Sequence, residues 1–297
     1  MAIIGGVALT QQEFVSAIEA GLASGQGASF SDIEFSPDER LRSKKKYATQ
    51  IISFSLHVKN KTWRGVHFKN CSITGLAFTG AVLEDCTFEI CQLAIQNWDS
   101  RYSNCKFISC DMRSFSFGAE QASNANAFQD AVFEKCSMQT SGVDFAFFER
   151  ASFLNCKLDR AEFRQVTILQ SKFVGKLDDV VFGRDYTDKP SRLQGVDFSK
   201  ATINYCIFPN THVSGVTAPE GPKIHAISRY KDFIADLDRA IQADPGLGDV
   251  ALAGIFTSEY TADSDFGIVN EDDFSELLKP KGMERLAQML ADPRWES

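Results

Sequence analysis

The sequence predicts a mainly β fold, a solenoid whose chain turns a corner every five residues. From Phe128 to Phe173 a bulky apolar residue returns at every fifth position. A smaller side chain stands two positions before each of these residues. Because five matches neither the helix period of 3.6 nor the strand period of two, neither element alone explains the pattern. Four such corners would close a square coil of about 20 residues, and stacked coils form a solenoid.

The same period extends to both sides of this segment. Upstream it runs through Trp63, Phe68, Ile73, Phe78, Leu83, Phe88, Leu93 and Trp98, and after a one-residue slip near Tyr102 it resumes at Phe107, Met112 and Phe117. Downstream it returns at Leu193, Phe198, Ile203, Phe208 and Val213. Residues 118–127 lack a central apolar residue, although the period nearly survives. Residues 183–192 are a polar insertion with a proline, which predicts a loop leaving the coil.

On these residues the chain resembles the pentapeptide-repeat family. The family's repeat has a small residue, a polar residue, a central Leu or Phe and two variable residues, as in the segments AVFEK, ASFLN, AEFRQ and VDFSK. The resemblance covers about residues 61–218 and implies a right-handed quadrilateral β-helix. The family favours Asp or Asn just before the central residue, and here mainly Asn97 and Asp197 obey. We therefore expect the turns to rely less on side-chain caps.

Three segments follow from these patterns. Residues 1–60 are expected to form an N-terminal cap, in which Thr10 and Glu13 suggest a capping box at the start of a helix. Residues 61–218 are expected to form the β-helix. Residues 219–297 are expected to form an acidic α-helical module, with helices around Tyr230–Ile241, Phe274–Leu278 and Met283–Leu290. The N-terminal helix of the cap would block the open sheet edge of the first coil.

The eight cysteines all fall at the small inward position of a repeat. Buried cysteine behaves as a small apolar residue, so we expect it to fill tight corners. Cys136 and Cys156 are 20 residues apart and should stack in neighbouring coils, within disulfide reach. No secretory signal begins the sequence, which predicts a cytoplasmic protein with free thiols. The cysteine spacing matches no zinc site, and no metal or cofactor is expected.

Enzyme chemistry finds little support in the sequence. The four histidines are scattered, and nucleotide-binding and metalloprotease motifs are absent. An enzyme would require a cleft lined by Asp263, Asp265 and His225. The segment 261–272 resembles a calcium-binding loop only in part, because Phe266 replaces the turn glycine. We interpret it as an acidic, solvated connection. No apolar run reaches the length of a membrane span.

Two segments are candidates for contacts with a partner. The polar insertion offers Arg184, Asp185, Tyr186, Asp188, Lys189 and Arg192, and the basic segment near the N-terminus offers Arg40, Lys44, Lys45 and Lys46. Loops on rigid scaffolds often carry binding contacts. The alternatives are an insertion that is merely tolerated and a solvated basic loop. Direct nucleic-acid binding is not expected, since no aromatic residues interleave the basic ones.

Two functions remain open at this stage. The chain looks like the branch of the family that protects DNA gyrase, a type II topoisomerase, from quinolones or toxins. In that branch the β-helix imitates duplex DNA, loops contact the enzyme, and C-terminal helices form a homodimer. Residues 61–228 have no net charge, whereas residues 229–297 have 7 basic and 15 acidic residues. A neutral solenoid argues against imitation of DNA. The alternative is a protein-interaction scaffold, adaptor or bacterial effector without a topoisomerase role.

Overall fold

The computed structural model describes residues 13, 16–20, 29–31, 34–35, 56–118, 125–183, 189–254 and 265–295. The chain divides into two compact units, Met1–Lys157 (unit 1) and Leu158–Ser297 (unit 2). Each unit contains stacked parallel coils around an apolar interior. The predicted mainly β solenoid is therefore confirmed, while the division into cap, β-helix and module stays a prediction.

The strands of unit 1 are two to eight residues long. In chain order they are β1 (Ser29–Ser31), β2 (Glu34–Phe35), β3 (Leu56–Lys59), β4 (Thr62–Arg64), β5 (His67–Lys69), β6 (Ser72–Thr79), β7 (Val82–Glu84), β8 (Thr87–Glu89), β9 (Gln92–Trp98), β10 (Arg101–Ser103), β11 (Lys106–Ile108), β12 (Asn126–Gln129), β13 (Val132–Glu134), β14 (Gly142–Asp144), β15 (Ala146–Glu149) and β16 (Ser152–Leu154). Such short strands are expected where the chain turns every five residues.

The strands of unit 1 stack in register from one coil to the next. One sheet has the order β4-β7-β10-β12-β15, and a second has the order β1-β5-β8-β11-β13-β16. In the first sheet Leu83 lies beside Trp63 on one side and Tyr102 on the other. Four inward residues separate one coil from the next, since Trp63, Phe68, Ile73 and Phe78 are all buried before Leu83 returns to the first sheet. The coil is therefore four-sided.

Aromatic rings form a continuous stack inside unit 1. Phe68, Phe88, Phe107, Phe133 and Phe153 lie on successive coils, with centroid distances of 5.2, 5.1, 5.0 and 4.9 Å between neighbours. Phe133 and Phe153, which are 20 residues apart, are stacked with their ring planes 11° apart. These rings are at most 1% exposed, and burial of each contributes about 2–3 kcal/mol of transfer free energy.

The corners of the coils are set by the backbone. The residue two positions after an inward residue takes a left-handed conformation, as in Asn70 (φ 53°), Ile90 (φ 54°) and Asn104 (φ 53°). Asparagine tolerates this conformation, whereas a β-branched residue is strained in it. Ile90 is 53% exposed, so packing does not explain why isoleucine occupies this corner.

The one-residue slip lies earlier than the sequence predicts. The pairing of β6 with β9 shifts by one residue between Thr74 and Leu76. As a result Asn97, not Trp98, points inward and is fully buried. Its side chain accepts a hydrogen bond from the hydroxyl of Tyr102 and donates one to the carbonyl of Ser116 at 2.7 Å. The expectation that Trp98 is an inward residue is wrong, because Asn97 takes that place with both amide groups paired.

After Phe117 the next inward residue, Phe128, is eleven residues away instead of five. β10 pairs directly with β12, so that Tyr102 lies beside Phe128. The chain between Phe117 and Phe128 is therefore six residues longer than one corner of the coil requires. Asn126 fixes the returning end, because its Oδ1 accepts the N–H of Ser100 at 2.7 Å and its Nδ2 donates to the carbonyl of Phe117 at 2.8 Å.

All eight cysteines are buried, as their position in the repeat predicts, and all are free thiols. In unit 1 the thiols donate to carbonyl oxygens, for example Cys136 to Phe107 at 3.2 Å. In unit 2, burial raises the pKa of the Cys206 thiol to about 12. Thiols in this environment are poor nucleophiles because the thiolate is the reactive form.

Unit 2 combines further coils with a C-terminal module. Its strands are β17 (Glu162–Arg164), β18 (Thr167–Leu169), β19 (Lys172–Asp178), β20 (Val181–Phe182), β21 (Ser191–Gln194), β22 (Asp197–Asn204), β23 (Thr211–Ser214), β24 (Ile224–Ser228) and β25 (Phe266–Asn270). Its helices are α1 (Tyr230–Ala243) and α2 (Pro280–Leu290). The coil sheets have the orders β18-β21-β23, β19-β22 and β17-β20, whereas β24 and β25 pair antiparallel.

The module has a core of its own and differs in part from the prediction. α1 and α2 match two of the predicted helices. The helix expected around Phe274–Leu278 is wrong: a 3₁₀ turn, Glu271–Phe274, replaces it, and the chain then turns so that Leu278 bridges to Gly248. The strand pair β24–β25 was not predicted. The module core contains Ile227, Tyr230, Phe233, Ile234, Leu237, Ile241, Leu247, Ala253, Val269, Phe274, Leu277, Leu278, Leu286, Met289, Leu290 and Trp295.

Only part of the predicted N-terminal cap is described. Residues 13 and 16–20 are helical, and Ile18 is 1% exposed. Lys61 Nζ lies 3.4 Å from Glu19 Oε1 and connects this helix to the first full coil. The proposed capping residue Thr10 and the apolar residues Phe14 and Leu22 lie outside the described residues. No helix in the described ranges is long and apolar enough to cross a membrane.

Candidate docking surfaces

The polar insertion of unit 2 is held at both ends. Phe182 and Leu193 occupy successive inward positions, although they are eleven residues apart instead of five. At the first end Gly183 has φ of 116°, and a Cβ there would come within 1.8 Å of the carbonyl oxygen of Pro209. At the second end Ser191 is buried; its N–H donates to the carbonyl of Asn210 at 3.0 Å. The insertion therefore leaves a rigid corner.

The predicted contact residues fall partly outside the described chain. Arg184, Asp185, Tyr186 and Asp188 of the insertion lie outside it, as do Arg40, Lys44, Lys45 and Lys46 of the basic segment. Of the remaining two, Lys189 is exposed. Arg192 is exposed on β21, where its Nη2 donates to Oε1 of Gln194 at 2.5 Å.

The C-terminal module contacts two sides of the last coil, whose inward residues are Leu193, Phe198, Ile203 and Phe208. On one side Asn270 donates from Nδ2 to the carbonyl of Ile203 at 3.0 Å. On another, the rings of Phe208 and Phe266 meet edge to face with centroids 5.3 Å apart. Both contacts come from β25, which therefore attaches the module to the coil.

Asp273 forms a third contact between the module and the last coil. The backbone N–H of Tyr205, a corner residue, donates to Asp273 Oδ2 at 2.7 Å. Burial raises the pKa of Asp273 to about 6, and the hydrogen bond from Tyr205 opposes the shift. The carboxyl group is thus close to its protonation point near neutral pH.

A groove of about 490 Å³ separates β23 from the module. One wall is the segment Thr211–Val216 and the other is formed by Ser228, Asp265 and Phe266. β23 pairs with β21, at the end of its sheet, and its second edge pairs with no other described strand. An unpaired edge presents a row of backbone donors and acceptors.

Among the described residues, no side chain fully covers the end of the apolar column beneath the groove. Ile168 and Leu193 lie in register below Val213, and both are 0% exposed. Val213 itself is only half-buried. Val216 and Phe266, also half-buried, complete an apolar notch beside it.

The two described residues of the cleft that an enzyme would require, His225 and Asp265, lie at opposite ends of the strand pair β24–β25. His225 Nε2 lies 2.8 Å from Glu271 Oε1, near one end of the strand pair. The carbonyl of Asp265 accepts the N–H of Arg229 at 2.7 Å at the other end, and Asp263 lies outside the described residues. The described ranges contain no cluster of three or more potential metal ligands.

Charges on the outer faces of unit 1 are paired between coils. Arg64 Nε lies 2.5 Å from Glu84 Oε2, and Lys69 Nζ lies 2.8 Å from Glu89 Oε1. Hydrogen bonding to Lys69 holds the pKa of Glu89 below its usual value. Arg150 binds Asp130 through two nitrogens, at 2.7 and 2.9 Å. Opposite charges therefore alternate along these columns.

The groove was missed by sequence analysis. Val213 is the last residue of the five-residue period, and Pro219 follows soon after, which marks the end of the coils. That signal places a sheet edge near Val213 but does not indicate whether the module covers it. The covering residues Phe266 and Asn270 are more than 50 positions away, in a segment interpreted as a solvated connection.

Comparisons with known proteins give distant matches only. No protein-family model matches the chain, and no curated protein matches it. The solved structure of QnrB1, a plasmid-mediated fluoroquinolone resistance protein, is 12% identical; the match covers 73% of this chain and 92% of QnrB1, with a TM-score of 0.32. HetL, a pentapeptide-repeat protein involved in heterocyst differentiation regulation in the cyanobacterium Nostoc sp. strain PCC 7120, is 15% identical over 54% of this chain and 86% of HetL, with a TM-score of 0.24. The fold assignment therefore rests on the chain's own coils.

Proposed function

We propose that this chain is a non-enzymatic protein-binding solenoid. The observation that carries the proposal is the insertion after Phe182, whose two ends are fixed by Gly183 and Ser191. A loop with rigid ends costs less entropy to position against a partner than one on a mobile support. The exposed Lys189 and Arg192 at its returning end can form charge-assisted hydrogen bonds to such a partner.

DNA gyrase is the most specific partner for this proposal. Its support is the resemblance of the repeats to the gyrase-protecting branch of the pentapeptide-repeat family, together with the inserted loop and the acidic C-terminal module. The alternating charges of unit 1 lend no support to imitation of DNA, because a basic enzyme channel would select a uniformly acidic stripe. We therefore propose contact through the loop, in the cytoplasm, rather than through charge mimicry.

A scaffold or adaptor without a topoisomerase role remains the alternative. The apolar faces of α1 and α2 contribute Leu237 and Leu286 to the core of the module. They are therefore occupied, which lends no support to a homodimer built on those faces. The nearby Val250 and Leu252 are exposed by 36% and 45% and offer a small apolar patch for pairing instead.

The test is gyrase supercoiling and quinolone-stabilised DNA cleavage with the purified full-length protein titrated in. In one variant a single glycine replaces residues 184–190, which restores the five-residue spacing between Phe182 and Leu193. The matched control replaces residues 119–125 by one glycine, which removes the same number of residues from the other insertion.

Protection that disappears in the first variant and persists in the control would support loop-mediated gyrase binding. Equal loss in both variants would contradict a specific role for the second insertion. No effect of the unaltered protein, at concentrations well above that of gyrase, would remove the topoisomerase from consideration.

A further inference from the structure

We propose that the open edge of β23 binds an extended segment of a partner protein, which adds a strand to the last coil. The inference rests on the proposed protein-binding function and deepens it, because it names a second contact and the chemistry of the bound segment. β23 has four residues, Thr211–Ser214, and pairs with β21 through its other edge.

The direction of the backbone groups favours strand addition. In the lower coils the N–H of an inward residue donates to the next coil, as Phe182 does to Ile207 and Phe198 to Thr217, both at 2.8 Å. Val213 occupies the same position of the repeat, so its N–H is directed to the open side. Gly195 occupies the equivalent position one coil below Gly215, and its N–H donates to the carbonyl of Ser214 in the next coil at 2.8 Å. The N–H of Gly215 is therefore also directed to the open side. A partner strand can accept from both donors.

The size of the groove fits one strand. A residue in a sheet occupies roughly 3.3 Å along the strand, 4.8 Å between strands and 10 Å through the sheet, or about 160 Å³. The groove, of about 490 Å³, is large enough to admit strand residues of this size. A helix would leave the outward N–H groups of Val213 and Gly215 without acceptors, because its backbone carbonyls bond within the helix.

The apolar notch selects one side chain of the bound segment. A strand added parallel to β23 would place every second side chain on the inner face. The residue beside Val213 would then cover the end of the apolar column and contact Val216 and Phe266. An aliphatic residue at this position continues the column as Ile168 and Leu193 do.

The outer face selects a charge. Arg192 and His212 are adjacent in the register of β21 and β23, and both side chains are exposed. The residue of the bound segment that precedes the aliphatic one would lie beside His212 and close to Arg192. An acidic residue is favoured there, because the guanidinium of Arg192, one strand further on, attracts it and His212 can donate a hydrogen bond to its carboxylate.

A second copy of this chain fits the edge less well. The module already covers the Ile203 and Phe208 sides of the last coil, which prevents end-on stacking of another coil. Residues 229–297 also carry a net charge of −8, so two modules brought together at this end would repel each other. The proposal therefore commits to a partner segment with an acidic residue followed by an aliphatic one.

The test measures binding of the fluorescein-labelled peptide ASELTGA to the full-length protein by fluorescence polarisation. The controls are the charge-reversed peptide ASKLTGA and the scrambled peptide ALTSGEA. We expect ASELTGA to bind at least tenfold more tightly than the scrambled peptide. His212→Glu should weaken binding of ASELTGA about fivefold and strengthen binding of ASKLTGA, a reversal that loss of folding cannot produce.

Two substitutions at Val213 separate the backbone donor from the side chain. Val213→Pro removes the outward N–H and should reduce ASELTGA binding more than 20-fold. Val213→Ala keeps the N–H and should reduce it only a few-fold. Amide hydrogen exchange should slow at Gly215 when the peptide binds the unaltered protein. Equal binding of the three peptides, or binding unchanged by Val213→Pro, overturns the proposal.

The outcomes also separate this inference from the proposed function. Gyrase protection without peptide binding would refute strand addition and leave the protein-binding function standing. Peptide binding with the expected pattern, without any effect on gyrase, would refute the topoisomerase partner and leave the docking edge standing. Concentration-dependent dimerisation in sedimentation that Val213→Pro abolishes would assign the edge to a second copy and overturn the proposed occupant.

Discussion

The coils of unit 1 and the C-terminal module of unit 2 bury their apolar side chains equally well by different routes. Phe107 in a coil and Phe233 in the module are both 0% exposed. Phe107 contacts Phe88 and Phe133, its equivalents in the neighbouring coils. Phe233 contacts Trp295, more than 60 residues away in the chain, with ring centroids 5.6 Å apart.

This difference determines how each region responds to change. A coil depends on its two neighbours, so stability in a solenoid is approximately a sum of similar local contributions. The module depends on one set of contacts that form together. Extra residues at the corners of coils are therefore tolerated, as after Phe117 and Phe182, where the inward residues on both sides stay buried.

The largest effect is expected at the centre of the ring stack. Phe107→Ala removes contacts with both neighbouring rings and should lower the free energy of unfolding by about 3–5 kcal/mol. Phe233→Ala in the module is the matched change. Urea unfolding followed by circular dichroism should show early loss of β signal for the first and early loss of helical signal for the second. A single shared transition in both variants would break the comparison.

The second-largest loss of stability is expected at a buried polar residue of the coils. Asn126 is 0% exposed and makes hydrogen bonds with Ser100, Asn97 and Phe117. Asn126→Ala leaves those backbone groups unpaired and should cost about 2–3 kcal/mol, measured by urea unfolding. Cys105→Ala, at the equivalent small position of another repeat, should cost less than half as much. Equal costs would mean that the amide contributes only its volume.

The contrast between the coils and the module also explains how much of the fold could be predicted from the sequence. The coils were readable because each inward residue lies five positions from the next, within any short window of sequence. The slip at Asn97 was misread because Trp98 is larger and apolar, whereas Asn97 is buried only through its bonds to Tyr102 and Ser116. The break after Phe117 was recognised from the missing central apolar residue, although eleven residues are close to two repeats.

The docking edge and the module were less accessible to sequence analysis. β24 and β25 pair although about 40 residues separate them, and a period cannot reveal such a pairing. The segment Phe266–Asn270, interpreted as a solvated connection, is a strand with Ile268 and Val269 buried. This strand determines which sides of the last coil are covered and which stay open. The groove is therefore visible only in the three-dimensional structure.

A third prediction concerns the contact between the module and the last coil. Since the pKa of Asp273 rises to about 6 on folding, the folded protein binds a proton more readily than the unfolded chain. The contribution of Asp273 to the free energy of unfolding therefore falls as the pH rises from about 4 to 6, and it stays reduced above pH 6. Asp273→Asn removes the buried charge and can still accept the N–H of Tyr205.

We expect Asp273→Asn to raise the melting temperature by a few degrees at pH 7.5 and to leave it unchanged at pH 4, as measured by calorimetry. Asp265→Asn, at an exposed position of the module, is the control for the substitution itself. A melting temperature that is lower in Asp273→Asn at pH 7.5 would contradict the argument.

The smallest effect is expected at a corner. Ile90 adopts a left-handed backbone conformation although it is β-branched and exposed. Ile90→Asn should stabilise the protein by about 1 kcal/mol, because asparagine tolerates this conformation. Asn155 lies at an exposed corner with φ of 52°. The reverse change there, Asn155→Ile, should destabilise the protein by a similar amount. Chemical denaturation of both variants checks the opposite signs.

The parallel register of the coils has a mechanical consequence. In unit 1 the backbone hydrogen bonds between coils run along the stacking direction, so a force applied along that direction would load them a few at a time. Pulling should therefore peel the unit coil by coil at low force. Each released coil of about 20 residues should lengthen the chain by roughly 65 Å at full extension, in nearly equal steps.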